Sequence, residues 1–343
     1  MTLQAARHWL MITLGMLMLT GIPLSATPQG VGTTGPQIRG LKGDPLRETR
    51  EVHLRNIRQL TTGGTNAEAY FSYDGKYLIF QATRDGFQCD QIFLMTSEGS
   101  KVKLLSTGKG RTTCGYFLPG SQQVIYASTH LGGDACPPRP NRSHGYVWPI
   151  YPSYQIFRAS LSGTITEQLT RAPGYNAEAT ISPDGRKMVF TSTRDGDLEL
   201  YDMDLLTRRI RRLTHQEGYD GGAFYSPDGQ WIVYRAFHPT GQADLAHYQD
   251  LLSKDLVEPM RMEIFIMRSD GSERRQITHL GKANFAPFWL PSGKHIIFSS
   301  NFEATSAREF ELYIVGTNGD RLERITFSGG FNSFPMFSPD GKK

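Results

Sequence analysis

The sequence predicts an all-β protein, a six-bladed β-propeller whose blades each hold four antiparallel strands. Three observations carry that expectation. The first is a turn signal, Ser-Pro-Asp-Gly, at Ser182 to Gly185, Ser226 to Gly229 and Ser338 to Gly341. Looser copies stand at Ser72-Tyr73-Asp74-Gly75, Leu118-Pro119-Gly120 and Leu290-Pro291-Ser292-Gly293. Proline presets φ for the first turn position, and glycine supplies the positive φ of a tight reversal. The second is composition: runs rich in β-branched and aromatic residues flank each turn, with apolar residues in partial alternation, as half-buried strands require. The third is period. The turn position falls at 74, 120, 184, 228, 292 and 340, so most spacings lie between 44 and 48 residues, and two reach 64 where a loop is inserted. Several short strands in each repeat of that length describe a propeller blade, and six turns imply six blades.

In chain order, residues 1–26 read as a signal peptide: Arg7 and His8 give a basic start, Leu10 to Leu19 an apolar stretch, and Ser25 and Ala26 small residues at its end. The apolar run is short for a bilayer span, so no transmembrane anchor is expected after cleavage. Residues 27–50, rich in Gly, Pro and Thr without hydrophobic period, read as a flexible linker. The chain carries +4 formal charge, of which Arg7 and residues 27–60 account for all; residues 61–343 are neutral. The folded body therefore lacks the clustered positive charge of a nucleic-acid-binding face.

Residues 51–343 are the expected propeller. Its first segment, His53 to Thr61, matches Arg209 to Thr214, Arg274 to Thr278 and Arg321 to Thr326, each of which closes a repeat. A strand at 53–61 is therefore expected to complete the last blade and close the ring, removing exposed edges. The last blade should be incomplete: the sequence given stops at Gly341-Lys342-Lys343, just after its turn, and either continuation by about 30 residues (most of one repeat) or a defective sixth blade is expected.

Two insertions, 130–153 and 238–260, fall between the second and third strands of their repeats and so share one face of the disc. The first is proline-rich and brings Arg139, Arg142, Tyr146, Trp148 and Tyr151 to that face. In the second, Leu245, Tyr248, Leu252 and Leu256 fall at helical intervals, with Pro259 beyond.

The same face should carry the site. Eight residues before each turn position stand Asn66, Thr112, Asn176, Asp220, Asn284 and Asn332. Two residues later come Glu68, Cys114, Glu178, Gly222, Ala286 and Phe334, and ten after the turn Arg84, His130, Arg194, His238 and Phe302. Small polar residues at strand ends cap turns, and Arg–Glu pairs between blades can be purely structural. Beyond that, convergent polar groups on a rigid frame make a ligand site. The ligand-binding candidates are Asn66, Glu68, Arg84, His130, Asn176, Glu178, Arg194, Asp220, His238, Asn284 and Asn332.

Cys89, Cys114 and Cys136 all map to this face, and export implies one disulfide with one thiol left over. Cys89–Cys114 is the first choice, Cys114–Cys136 the second. No Gly-x-Ser-x-Gly elbow, Walker loop, dinucleotide fingerprint or His-Glu-x-x-His motif occurs. No catalytic residue, metal or cofactor is assigned, although His130, His144, His238 and His247 could gather on the insertion face.

The repeats resemble the TolB-like β-propeller family, whose blades carry Ser-Pro-Asp-Gly, a strand, and Thr/Ser-x-Arg-Asp-Gly. That pattern stands in Ser182 to Gly196, and in Ser72 to Gly86 with Tyr73 replacing proline. The resemblance covers residues 52–343, without the N-terminal α/β domain of TolB. It implies the propeller fold; similar propellers gate substrate ahead of peptidase domains or, in oligogalacturonate lyases, use histidine-held metal. The function expected is a periplasmic or secreted, monomeric, non-catalytic module that binds a peptide, partner protein or glycan on the insertion face. The alternatives are a metal-assisted lyase or hydrolase around His130, His238 and Glu178, and a substrate-gating propeller for a separate peptidase domain.

Overall fold

Each Ser-Pro-Asp-Gly corner is closed by its own side chains. In the computed structural model, which describes residues 44–141, 145–306 and 308–343, Ser182 Oγ donates to Asp184 Oδ1 (2.6 Å) and accepts from Lys187 N (2.9 Å). Gly185 takes the left-handed conformation, φ +73°. The same pair of bonds recurs at Ser72, Ser226 and Ser338. The serine hydrogen bond holds the Asp184 carboxyl below the usual carboxylate range.

From each corner the chain runs into an antiparallel blade. The first holds β1 (Thr65–Phe71), β2 (Tyr77–Thr83), β3 (Gln91–Thr96) and β4 (Lys103–Leu104). The second holds β5 (Thr112–Phe117), β6 (Gln123–Ser128), β8 (Gln155–Ser160) and β9 (Ile165–Gln168), with β7 (Trp148–Pro149) in the insertion between β6 and β8. The third is β10 (Asn176–Ile181), β11 (Lys187–Ser192), β12 (Glu199–Asp204) and β13 (Ile210–Arg212). The fourth is β14 (Tyr219–Tyr225), β15 (Trp231–Phe237), β17 (Glu263–Arg268) and β18 (Arg275–Gln276); α1 (Gln242–Leu252) and β16 (Leu256–Val257) lie in its insertion. The fifth is β19 (Asn284–Trp289), β20 (His295–Ser300), β21 (Glu311–Gly316) and β22 (Glu323–Arg324). The middle strands are buried on both faces, and apolar clusters fill the spaces between blades.

Among the described residues the structure has five four-stranded blades, one fewer than the six turns suggest. The sixth corner nonetheless keeps its place in the ring. A Cβ on Gly341 would lie 3.4 Å from Pro291, one on Gly75 would lie 4.0 Å from Pro339, and one on Gly185 would lie 3.0 Å from Pro119. Residues 332–343 and 51–61 form no strand, so the expected closure of the last blade by an N-terminal strand does not occur. A ladder needs two extended segments in register, and neither of these pairs with a strand among the described residues. The N-terminal segment is held by side chains instead. Glu51 Oε1 accepts from Phe327 N (3.0 Å), His53 meets Glu323 at 2.6 Å, Arg58 meets Glu98 at 2.6 Å, and Arg50 stacks over Phe327. Asp44 accepts from Asn56 N and Ile57 N, so the last residues of the expected linker are tied to this segment.

The two insertions meet. β7 and β16 pair antiparallel, Trp148 opposite Val257 and Pro149 opposite Leu256, and Ile150 N bonds Asp255 O (2.9 Å). The helix ends at Leu252, and Leu256, the last of the expected helical stripe, falls in β16. Tyr248 anchors α1 on the disc, its hydroxyl lying within hydrogen-bond distance of two acceptors, Asp197 Oδ1 (2.5 Å) and Gly218 O (2.7 Å). The signal peptide expected at 1–26, Arg142 and His144 lie outside the described residues. Among those described, no helix is long and apolar enough to cross a membrane.

Candidate functional site

The innermost strand of every blade carries the same irregularity. Register shifts fall between Ala67 and Tyr70, Thr113 and Tyr116, Ala177 and Thr180, Gly221 and Phe224, and Phe285 and Phe288. At each shift one residue turns left-handed: Glu68 (φ +50°), Cys114 (+53°), Glu178 (+56°), Gly222 (+60°) and Ala286 (+50°). Phe334 (+56°) does the same in the sixth segment. These six are the ring read two residues after the small polar positions. Five of them carry a Cβ, which makes the left-handed region unfavourable, by about 1 to 3 kcal/mol each. The bulges break the alternation along the strand and aim the side chains of this ring at the axis.

Below the ring the axis is filled. Tyr70 packs against Phe224 (5.6 Å between centroids) and Tyr116 (5.7 Å), and Phe224 against Phe288 (5.3 Å), joining blades from opposite sides. Above it, Tyr146, Trp148 and Ile150 of the first insertion and Val257, Pro259 and Met260 of the second form a roof. Between floor and roof lies a cavity of about 960 Å³, walled by Tyr154, Tyr175, Tyr219, Phe285, Phe310, Phe331 and Phe334.

Polar groups gather in this apolar space. Glu178 accepts from Thr191 Oγ1 (2.9 Å), Gly222 N (2.8 Å), Tyr219 OH (3.0 Å) and Arg235 Nη2 (2.8 Å). Arg235 is itself buried, donates to Tyr219 OH (2.6 Å), and lies between the rings of Trp148 (5.2 Å) and Tyr219 (5.4 Å). Burial opposes its charge, but Glu178 and Tyr219 outweigh that and raise its pKa. A Cβ on Gly222 would overlap Arg235 Nη1; the missing side chain in the fourth blade is what makes room for the guanidinium. Glu68 faces the same cluster. Burial, then the Glu178 charge, pushes its carboxyl up to about 7. Burial likewise pushes the Cys114 thiol well up, so it is no thiolate at neutral pH.

Of the residues expected in the site, only Glu68, Glu178 and the insertion aromatics Tyr146, Trp148 and Tyr151 line this cavity. The small polar ring works as strand-end clasps. Asn176 Nδ2 donates to Ala172 O and Gly174 O while its Oδ1 accepts from Ser192 and Arg194. Asn284 and Asn332 bond Met262 O and Phe310 O, and Asn66 bonds Gly63 O. Asp220 pairs with His238 at 3.2 Å. The positions ten after the turn shield third-strand aromatics: Arg84 over Phe93, His130 on Phe157 (4.5 Å), Arg194 on Tyr201 (4.8 Å) and His238 on Phe265 (5.4 Å). His130, His238 and Glu178 are thus engaged separately, and among the described residues no three His, Cys, Asp or Glu are placed to share a metal. Arg139 is exposed on the first insertion.

The disulfide joins Cys89 to Cys136, neither of the two expected pairs. The bulge turns Cys114 toward the cavity beside Thr113, while Gly110 N, bonded to Asp134 O (2.9 Å), brings the start of the insertion over the first blade. Arg235 was missed in the sequence, although two signals pointed to it. It is a charge inside the apolar strand Trp231 to Phe237, opposite Gly221 and next to Gly222, the one ring position that lacks a side chain.

Residues 151–256 match the model of the TolB β-propeller domain. An assigned TolB from Agrobacterium tumefaciens superposes with a TM-score of 0.60 at 22% identity, covering 83% of this chain and 90% of that one. The chain carries a TolB-type propeller. A second TolB, from Acinetobacter baumannii, gives a TM-score of 0.53 at 17% identity over 75% of this chain and 53% of that one. Hydrazine synthase from Kuenenia stuttgartiensis gives 0.53 at 14% identity, over 77% of this chain and 39% of its own. At such identities the likeness is one of fold, and a TolB-type propeller takes its function from its site.

Proposed function

We propose that this TolB-type propeller is an exported, monomeric, non-catalytic module that takes part of a peptide, partner protein or glycan into its axial cavity under the insertion roof. The observation that carries this reading is the blind cavity itself. About 960 Å³ lies within the range of specific ligand pockets, and its lining is mostly aromatic with a few converging polar groups. The polar groups suit binding more than turnover: Glu178 is saturated by donors and Cys114 is held as a thiol. The basic start and apolar stretch of residues 7–19 support export.

Ala286→Trp tests the reading. The equivalent ring position in the sixth segment is already Phe334 with φ +56°, so an aromatic side chain is tolerated in this conformation. Full-length protein is screened against peptide and glycan arrays. The variant is expected to keep the wild-type melting temperature within a few degrees and to lose the ligands the wild type selects. Ligands retained unchanged by the variant, or arrays that return none for the wild type, would overturn the proposal.

A further inference from the structure

We infer that the guest of this cavity is the C-terminal end of a peptide with an apolar last residue, its carboxylate held by Arg308 and its side chain by the phenylalanines beside it; the inference rests on the cavity reading just given. Shape comes first. Tyr70, Phe224 and Phe288 close the floor, and the two insertions form the roof. An internal segment would have to enter and leave through one opening, whereas a chain end enters singly.

Charge selects which end. Among the described residues six charged side chains line the cavity: Glu68, Asp90, Arg111, Glu178, Arg235 and Arg308. Asp90 is paired with Arg111 (3.2 Å) and Glu178 with Arg235 (2.8 Å). Burial pushes the Glu68 carboxyl up to about 7, so it is only partly ionised at neutral pH. Arg308 is exposed at the wall and, among the described residues, has neither a hydrogen bond nor an ion pair. The acid next to it, Glu309, is taken by Thr305 N (3.0 Å), Thr305 Oγ1 (2.8 Å) and Arg324 (3.5 Å). An open guanidinium is a fixed positive fork that matches a carboxylate.

The wall beside it is apolar. The Phe310 ring lies 4.9 Å from Phe285 and 5.4 Å from Phe331, and Phe334 lies 6.1 Å from Phe285. Phe310 N bonds Gly330 O (2.9 Å), which ties the Arg308 loop to the segment bearing Phe331. Phe331 is 61% exposed and Tyr146 54%; these are the two most exposed aromatics among the described residues, and both border this cavity. Aromatic surface gathered at a cavity mouth marks a contact site. Phenylalanine rings leave a sugar hydroxyl without a partner, so this wall suits an apolar side chain and not a glycan.

The test titrates the full chain by calorimetry, at pH 7 and low salt, with N-acetyl-Gly-Gly-Phe as the free acid and as the C-terminal amide. The acid should bind about tenfold or more tightly than the amide. Arg308→Gln should bind the two alike, and Ala286→Trp should lose both. Phenylpropanoate and methyl glucuronide, a free apolar acid and a sugar acid, should bind more weakly than the peptide acid. Equal binding of acid and amide by the wild type overturns the inference and leaves the cavity reading standing. A preference that survives in Arg308→Gln overturns the assignment to that residue. Either small acid binding as tightly as the peptide overturns the peptide end as the guest, and peptide retained by Ala286→Trp overturns its place in the cavity. Binding of neither peptide overturns this inference alone, since the array screen judges the cavity separately.

Discussion

Asp220→Asn should make the protein more stable, and more so at high pH. In the fifth blade Asn284 Nδ2 donates to Glu263 Oε2 of the preceding blade (3.1 Å), and Asn332 does the same to Glu311 (2.9 Å). Each asparagine thus clasps the glutamate that opens the third strand of its neighbour. In the fourth blade the clasp residue is Asp220, a carboxyl in place of the amide donor, whose pKa burial raises against the opposing pull of His238. Glu199 is fully buried, its Oε1 is held by Arg212 (2.7 Å), and its Oε2 has no partner. Burial, with the Asp220 charge adding to it, pushes the Glu199 carboxyl from 4.5 up to about 7. A folded-state pKa above the unfolded value means that the native state holds the proton more tightly. Stability then falls as pH rises from about 4.5 to about 7, with a ceiling near 3 kcal/mol at 1.36 kcal/mol per pKa unit. Asparagine at 220 supplies a donor to Oε2, removes the neighbouring charge, and still offers Oδ1 to His238. A hydrogen bond to a charged group contributes about 1.5 to 3 kcal/mol. The gain expected at pH 8 is therefore about 2 kcal/mol, shrinking below about 1 kcal/mol at pH 5 where Glu199 is protonated. Urea denaturation of both proteins at the two pH values measures this, and Glu68, which titrates over the same range in both, cancels in the difference. A variant no more stable than wild type at pH 8, or a gain that is the same at both pH values, would refute the reasoning.

Three further outcomes follow from the same contacts. Arg235→Met strands Glu178 in the cavity and should cost about 3 to 5 kcal/mol in chemical denaturation, while adding Glu178→Gln should restore at least half of the loss. Gly222→Ala places a Cβ against Arg235 Nη1 at φ +60°; it should lower stability by about 1 to 3 kcal/mol and reduce the protection of Tyr219 and Arg235 from solvent, read by hydrogen exchange. Cys136→Ser opens a crosslink that spans 47 residues, so a loss of about 4 kcal/mol is expected; reductant should reproduce that loss in the wild type and do nothing further to the variant.

The corners were legible because their chemistry is local: proline, aspartate and glycine fix a turn whatever surrounds it. Blade number was not, since a turn marks only where a strand pair begins, and the corner at Ser338 is flanked by no strand among the described residues. The ring of Glu68, Cys114, Glu178, Gly222, Ala286 and Phe334 was legible as a position but not as a conformation. Only Gly222 advertises a positive φ; the other five are held there by the bulge, which is a tertiary constraint. The clasps were legible as polar residues of fixed spacing, and the ordinary explanation, strand-end hydrogen bonding, accounts for them. Arg235 acts on Glu178 of the neighbouring third blade, 57 residues away in sequence, and the pairing of β7 with β16 joins two loops that no local pattern connects.

That pairing has a mechanical consequence. The two-stranded ribbon ties the second blade to the fourth across the third, so this arc of the disc behaves as a stiff bracket. On the opposite arc no such ribbon runs from the fifth blade to the first, which meet through corner contacts, the packing of Tyr73 and Met336, and the ion pairs of His53, Arg58 and Lys343. Motion of the disc should therefore be larger on that side, which lacks the cross-blade ribbon that braces the other.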